Sequence, residues 1–163
     1  MAVPRPAYAY LLGLYLGDGC LTGNEKDVYR LRIVLDVRYP SIIAECAAAM
    51  AQVLPNKVGM INNPGCVAVN AYSKHWPCLF PQHGPGPKHL RPIVLRQWQD
   101  EIALDRHPEL FLRGLIHSDG YRGINRIKGR YAYPRYLFDN RSDDIRALFL
   151  DGCRRVGVHA SQS

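Results

Sequence analysis

Apolar residues fill positions 7–16 almost without interruption, and the run ends at Gly17-Asp18-Gly19. An apolar run of this length that closes on glycine predicts a buried helix from about Pro6 to Gly17. The run is too short to cross a bilayer and no small-residue cleavage site follows it, so neither a membrane anchor nor a signal peptide is expected. We therefore predict that this helix lies in the core of a domain.

The next segment alternates between two kinds of side chain. Over residues 29–37, apolar Leu31, Ile33 and Leu35 alternate with Arg30, Arg32 and Val34. This predicts a strand with one core face and one basic face. Ser41 is then predicted to cap an alanine-rich helix. Residues 57–73 are predicted to form a second hairpin that turns at Asn63-Pro64-Gly65.

The segment FLRGLIHSDG repeats the first helix further along the chain. The matched residues lie at a constant offset of 101: Leu11, Gly13, Leu14, Asp18 and Gly19 match Leu112, Gly114, Leu115, Asp119 and Gly120. The strands that follow match at an offset of 103, which aligns Asp36 with Asp139. Because an acid that arose by chance need not recur in the same frame, the sequence predicts two copies of one α-β-β-α unit.

These copies divide the chain into a first repeat at 1–76, a linker with a connecting helix at 77–107, and a second repeat at 108–163. Five of the twelve prolines fall between Pro77 and Pro92, which marks the linker. The second repeat stops after a helix capped by Ser142, so it lacks the last hairpin of the first. We therefore expect a monomer whose second sheet has an open edge, unless another chain supplies the strands.

Small residues recur four positions apart in both motif helices. Gly13 and Gly17 share one helix face, and Gly114 and Ser118 repeat the spacing. Each helical glycine costs about 1 kcal/mol relative to alanine, and close packing of two helix backbones would compensate for that cost. If the two helices pack with the same polarity, their terminal acids emerge side by side.

Composition indicates a globular protein with a polyanionic partner. The 163 residues are 47% hydrophobic and carry a formal net charge of +7, and residues 121–163 contain nine basic and four acidic side chains. The five cysteines form no CxxC pair, which suits reduced thiols in the cytoplasm. Cys66, His75, Cys78 and His83 do not have the spacing of zinc ligands.

Two carboxylates at the C-terminal ends of adjacent helices repel each other and resist ionisation. A divalent cation between Asp18 and Asp119 resolves this conflict. A ligand set made only of oxygens suits Mg²⁺ rather than zinc, and Mg²⁺ held between carboxylates suits phosphodiester cleavage.

With two such motifs at matched spacing, the sequence resembles the LAGLIDADG homing endonucleases from about Ala7 to Val158. The resemblance implies an α+β fold in which two pseudo-symmetric αββαββα-like halves pack through paired motif helices and form a DNA-binding saddle. It also implies sequence-specific cleavage of both strands of double-stranded DNA with Mg²⁺, or with another divalent cation such as Mn²⁺ or Ca²⁺. A DNA-binding regulator of the same descent that has lost cleavage is the alternative, and the two retained acids favour the enzyme.

The resemblance assigns roles by position. Asp18 and Asp119 correspond to the metal-binding acids, and the carbonyl groups of Gly17 and Ser118 would join the metal shell. Leu16 and His117 replace the first acid of the motif, a position that is not the metal ligand, so cleavage remains expected.

The resemblance also implies water-ordering and basic residues. Asp36 and Asp139 correspond to the strand-end position that orders water near the cleavage centre, although either could instead cap the segment that follows. Lys88 is the candidate for the basic residue that stabilises the transition state, with Arg91 and Arg96 as alternatives.

Basic and polar side chains of the strands and hairpin loops are the candidates for DNA contact, although a solvated strand face is an equal alternative for any one arginine. These candidates are Asn24, Lys26, Arg30, Arg32, Asn70, Tyr72, Arg122, Arg126, Lys128 and Arg135.

Overall fold

The computed structural model describes residues 2–162, which form an α+β fold of two related halves. The first half contains α1 (Arg5–Asp18), β1 (Gly19–Gly23), β2 (Tyr29–Asp36), α2 (Pro40–Val53), β3 (Val58–Asn63) and β4 (Cys66–Ser73). The connection contains α3 (Trp76–Leu79), a 3-10 turn (Lys88–Leu90) and α4 (Gln97–Asp100), which continues as a π-helical segment (Glu101–Arg106). The second half contains α5 (Pro108–Asp119), β5 (Gly120–Ile127), β6 (Tyr131–Phe138) and α6 (Asp143–Arg155).

The first half has an antiparallel sheet in the order β1-β2-β4-β3, with helices against one face. The alternation predicted for residues 29–37 is confirmed, because Leu31, Ile33 and Leu35 are buried. On the opposite face, Arg30 lies beside Tyr72 and Arg32 lies beside Asn70. The second hairpin turns at Pro64-Gly65 as predicted, with Gly65 at φ +78°.

The motif helices α1 and α5 lie side by side at the centre of the molecule. A Cβ added at Gly13 would lie 2.7 Å from the main-chain nitrogen of Leu115, and one added at Gly114 would collide with the carbonyl oxygen of Tyr10. The two backbones therefore touch where both side chains are missing. Every residue of α1 from Tyr8 to Leu16 is buried, because α2, α5 and the π-helical segment all pack against it.

The second half is smaller. β5 and β6 form a two-stranded sheet, and Phe138 at the end of β6 stacks on Phe149 of α6 with ring centroids 4.2 Å apart. Within residues 2–162, no strand follows α6. No helix in this part of the chain is both long and apolar enough to cross a membrane.

Helix boundaries correct one prediction made from the sequence. Ser41 does not cap α2: the helix begins at Pro40, behind Tyr39, and has no side-chain cap. Proline at the first helical position explains this start, because its fixed φ suits a helix and an N–H at that position would have no partner within the helix. Ser142 caps α6 as predicted, by accepting a hydrogen bond from the main-chain N–H of Ile145.

The outer edge of β6 carries a proline at a position where an N–H would face outward. The main-chain N–H of Asp139 donates to the carbonyl oxygen of Asp119 at 3.3 Å. Because hydrogen-bonded and non-bonded pairs alternate in antiparallel strands, this bond places Pro134, opposite Ile124, at a non-bonded position whose N–H would point away from β5. In the first half, Gly19 pairs with Ile33 as Gly120 pairs with Phe138, so the residue that matches Pro134 is Tyr29. The N–H side of Tyr29 is occupied, because this residue pairs with β4. Pro134 therefore removes one of the outward N–H groups that another strand would need in order to pair with the free edge of β6.

Replacing Pro134 with valine is expected to promote concentration-dependent self-association, because valine restores an outward N–H and favours strand structure. Light scattering after size-exclusion chromatography across a range of concentrations would detect the change. Ala132→Val is the matched control, since it adds a β-branched side chain to the same edge without a new donor. Equal association of the two variants would contradict the blocking role of Pro134.

Candidate active site

The two acids Asp18 and Asp119 end their helices in the same way. At each end the following glycine is extended, with φ −87° and ψ 150° at Gly19 and φ −83° and ψ 151° at Gly120. Each glycine N–H donates back into its own helix, to the carbonyl oxygen of Tyr15 or of Ile116. The chain then turns directly into a strand, so each acid stands between a helix C-terminus and a sheet.

The structure brings the two helix ends together. A Cβ added at Gly17 would lie 2.9 Å from Oδ2 of Asp119, so glycine leaves the room that the second carboxylate occupies. Burial, reinforced by the negative charge of Asp119, raises the pKa of Asp18 to about 7. Burial also raises the pKa of Asp119. Asp18 is exposed and Asp119 is half-buried, so the pair is an acidic centre that solvent reaches and that a cation would stabilise.

Lys88 reaches this centre from the connection between the halves. Its Nζ donates to the carbonyl oxygens of Tyr15 and Gly19, each at 2.5 Å, and lies 4.7 Å from the centre of the Tyr15 ring. These carbonyls belong to the negative end of α1, which favours a cation. Burial lowers the pKa of Lys88 to about 8, although the two aspartates oppose that shift.

The two alternatives to Lys88 have other contacts. The Arg91 guanidinium donates to the carbonyl oxygens of Gln82, Gly84, Pro85 and Gly86, so it fixes the loop that precedes Lys88. Arg96 stands at the start of α4, where its main-chain N–H donates to the side chain of Gln99. Arg91 lines the same cavity as Lys88, but of the three candidates Lys88 is the one whose side chain donates to main-chain carbonyl groups at the end of a motif helix.

Asn140 is a site residue that the sequence did not single out. Its Nδ2 donates to Oδ2 of Asp119 at 2.6 Å, which holds the carboxylate in one orientation and partly offsets the effect of burial on its pKa. Asn140 lies two residues beyond the end of β6, and Asp139 and Arg141 line the same cavity as Lys88. The signal that the sequence offers for Asn140 is its position just after the strand, next to Asp139.

The sequence alignment of Asp36 with Asp139 is wrong. Gly19 pairs with Ile33 and Gly120 pairs with Phe138, so the strands match at an offset of 105 rather than 103. Val34 is therefore the structural counterpart of Asp139. Asp36 lies outside the cavity and forms a 2.7 Å ion pair with Arg38, whose hydrogen bonds lower the pKa of that carboxyl. The offset of 103 is wrong because the β5–β6 hairpin is four residues longer than the β1–β2 hairpin. The resulting error of two residues leaves every side chain on the same face of its strand, so the alternation of apolar and polar residues does not reveal it.

The DNA-contact candidates of the first half share the open face of the sheet. Arg30, Arg32, Asn70 and Tyr72 lie together there, although Asn70 is only 6% exposed. Lys26 is exposed in the β1–β2 loop. In that loop, Asn24 uses its Oδ1 to accept hydrogen bonds from the main-chain N–H groups of Lys26 and Val28. Asn24 therefore shapes the loop.

The candidates of the second half divide between two faces. Arg122 and Arg126 share the face of Phe138, which packs on α6, whereas Arg135 lies on the opposite face with Asp139. Lys128 is in the turn, at φ 52°. The exposed side chains that accompany Arg135 on its face include Tyr131 and Tyr133, which are not among the candidates predicted from the sequence.

The side chains of the site fit a hard divalent cation bound mainly by oxygens. Two carboxylates whose ionisation is opposed by burial need such a charge, and the last carbonyls of a helix have no partner within the helix. Gly17 and Ser118 are the predicted sources of those carbonyls. Within residues 2–162, no group of three or more His, Cys, Asp or Glu side chains is arranged to hold a metal. Water or a phosphate oxygen would have to complete the shell.

The pKa of Asp18 predicts how stability depends on pH. Folded Asp18 keeps its proton up to about pH 7, whereas the unfolded side chain loses it near 3.8, so its ionisation lowers stability as pH rises between these values. Because Asp18 is more than a third exposed and solvent screens its charge, Asp18→Asn is expected to stabilise the metal-free protein by only about 1 kcal/mol at about pH 8, with the gain vanishing towards pH 4. Urea unfolding in EDTA would measure this gain. A gain that did not depend on pH would contradict the assignment.

No protein-family model matches the chain, and no curated protein is significantly similar to it. Solved structures do match. A structure described as mesophilic variants from the homing endonuclease I-DmoI has 16% identity and a TM-score of 0.59, over 96% of this chain and 76% of that one. I-DmoI with DNA and Mn gives 17% and 0.57, over 96% and 81%. I-DmoI with DNA and Ca gives 17% and 0.54, over 94% and 73%. At this identity the likeness establishes the fold, and it confirms the predicted LAGLIDADG architecture.

Proposed function

We propose that this protein, which has the fold of a LAGLIDADG homing endonuclease, is a sequence-specific DNA endonuclease that depends on a divalent cation. One observation supports this most directly: two carboxylates, Asp18 and Asp119, meet at the ends of paired helices with Lys88 beside them. Such a centre has little use in a protein that only binds DNA, because unneutralised carboxylates repel phosphates.

The residues of the chain would divide the work of phosphodiester hydrolysis. The two aspartates and the carbonyls of Gly17 and Ser118 would hold Mg²⁺, with Mn²⁺ or Ca²⁺ as alternative ligands of the site. When bound, the cation supplies positive charge to the scissile phosphate and lowers the pKa of bound water. Lys88, held by the carbonyl oxygens of Tyr15 and Gly19, would place its ammonium group against the charge that develops on the phosphate. Its pKa of about 8 keeps a substantial charged fraction near neutral pH.

DNA would lie across the open face of the first sheet and continue over the β5–β6 hairpin. Arg30, Arg32 and Tyr72 on β2 and β4, together with Arg135 on β6, would contact the phosphate backbone or base edges. The net charge of +7 supports binding to a polyanion. Structures of I-DmoI, which has a similar fold, contain DNA with Mn or Ca, and this supports DNA as the partner.

The experiment begins by selecting bound duplexes from a randomised library in Ca²⁺, so that no target need be known. The selected duplex is then incubated with the protein in Mg²⁺ and, in parallel, in EDTA. The duplex is expected to be cleaved in Mg²⁺ and to stay intact in EDTA. Glu101→Gln, which changes an exposed ion pair with Arg106, is the control variant and is expected to retain cleavage. Tight binding without cleavage in Mg²⁺ or Mn²⁺ would instead support the DNA-binding regulator.

A further inference from the structure

The β5–β6 hairpin is longer than its counterpart in the first half and is exposed along most of its length. Eight residue pairs join β5 to β6, whereas five join β1 to β2. Every residue of β6 from Tyr131 to Leu137 is exposed. The three additional pairs are the ones nearest the turn, Asn125–Tyr133, Arg126–Ala132 and Ile127–Tyr131. This extension therefore contributes to neither the core nor the acid pair.

One face of the hairpin carries a row of tyrosines. Tyr131 and Tyr133 share this face because they are two residues apart on β6, and Tyr121 lies on the same face of β5. Each of the three is more than half exposed. The Tyr121 ring lies over Gly123, where an added Cβ would be 2.7 Å from a carbon of that ring. The ring therefore leans along the hairpin towards the other two tyrosines.

The rings of Tyr131 and Tyr133 have a geometry that suits flat ligands. The two rings are within 18° of parallel, and their centroids are 6.3 Å apart. This distance is close to twice the rise of about 3.4 Å between successive bases of one strand. The flat face of a base is accessible where the base is unpaired, whereas in a duplex the neighbouring bases cover it. Exposed and nearly parallel tyrosines therefore favour an unpaired strand over a duplex.

The hairpin is also strongly basic. Residues 120–138 contain five basic side chains and no acidic one. Within residues 2–162, none of these five side chains forms an ion pair. Arg135 stands on the tyrosine face, and Lys128 and Arg130 lie in the turn before Tyr131. A positively charged ribbon with stacking rings along it complements a single nucleic-acid strand, which offers both phosphates and base faces.

We propose that the β5–β6 hairpin binds single-stranded DNA, with bases stacked on Tyr121, Tyr131 and Tyr133 and phosphates held by Arg135 and the basic turn. The tyrosine face is the counterpart of the open face of the first sheet, because the strand registers match Arg135 with Arg30. That open face is the proposed DNA surface, so the choice of DNA rather than RNA rests on the proposed function. The binding itself requires neither a metal nor cleavage.

The test follows the fluorescence anisotropy of a labelled oligothymidine of about 20 nucleotides in EDTA. The protein is expected to bind it at least about tenfold more tightly than an abasic strand of the same length, which has the same phosphates but no bases to stack. Tyr133→Leu is expected to weaken oligothymidine binding by about tenfold, whereas Tyr133→Phe keeps the ring and is expected to retain the affinity. Tyr133→Leu is expected to weaken binding of the selected duplex less, because paired bases do not offer their faces.

The outcomes separate this inference from the endonuclease proposal. Failure to bind oligothymidine, or equal affinity for the abasic strand, would overturn the inference, since stacking would then contribute nothing. Equal losses for duplex and single strand in Tyr133→Leu would overturn it by showing that the ring contacts paired DNA, and tighter binding of an oligouridine would overturn it in favour of RNA. Each of these results leaves the endonuclease proposal standing. Oligothymidine binding through Tyr133 without cleavage of the selected duplex would overturn the endonuclease proposal alone.

Discussion

Asp119→Asn is expected to lower the rate of DNA cleavage by about 10³-fold or more while leaving the protein folded. Replacing the carboxylate removes half of the charge that holds the cation, and the cation's contribution to the transition state is several kcal/mol. Asparagine nearly matches aspartate in shape, so it fits the same space beside Gly17. It also removes a half-buried acid whose pKa is raised, so stability near neutral pH is expected to rise.

Single-turnover cleavage, DNA affinity and urea unfolding should be measured on the same preparation. The variant is expected to bind the target at least as tightly as the wild type, because one negative charge near the phosphates is gone. Glu101→Gln, a carboxylate-to-amide change on the surface, controls for the substitution itself. Full cleavage by Asp119→Asn would exclude the acid pair as the reaction centre.

The second large effect is a loss of stability, and it is expected from the addition of a single methyl group at Gly114. Gly114→Ala should destabilise the protein by about 3 kcal/mol, even though alanine favours a helix over glycine by about 1 kcal/mol. The added Cβ would collide with the carbonyl oxygen of Tyr10 and lie 2.9 Å from the main-chain nitrogen of Leu14. Backbone atoms of a buried helix cannot turn aside, so α1 and α5 would have to separate.

Gly152→Ala in α6 is the matched control, because its Cβ would meet the end of a flexible side chain, Leu112, at 2.9 Å. Its change in the free energy of unfolding is expected to stay within about 1 kcal/mol. Urea unfolding of both variants tests the contrast. Stabilisation by Gly114→Ala would mean that helix propensity decides at this position and that the backbones are not in contact.

Sequence alone was sufficient for the elements whose signal is local. The apolar run at 7–16 and its recurrence at 110–116 fixed both motif helices, and the alternation around Leu31 fixed a strand and its core face. Lys88 could be nominated only loosely, since nothing local distinguishes it from Arg91. Their difference lies in which carbonyl groups each one meets after folding.

What the sequence could not supply was register. A shift of two residues preserves the inward and outward alternation of a strand, so aligning Asp36 with Asp139 satisfied every local pattern. Only the pairing of Gly120 with Phe138 shows that Val34 takes the corresponding position. Asn140 was missed for the same reason, because its role depends on the position of Asp119 across the strand pair.

The complete burial of α1 has a consequence for synthesis of the protein. Nine consecutive residues of this helix, Tyr8 to Leu16, are covered in part by α5, which is made roughly a hundred residues later. Until α5 leaves the ribosome, the first half carries an apolar helix with one side uncovered. Nascent chains are therefore expected to depend on chaperone binding during this interval, and the acid pair does not exist until translation has passed both motifs.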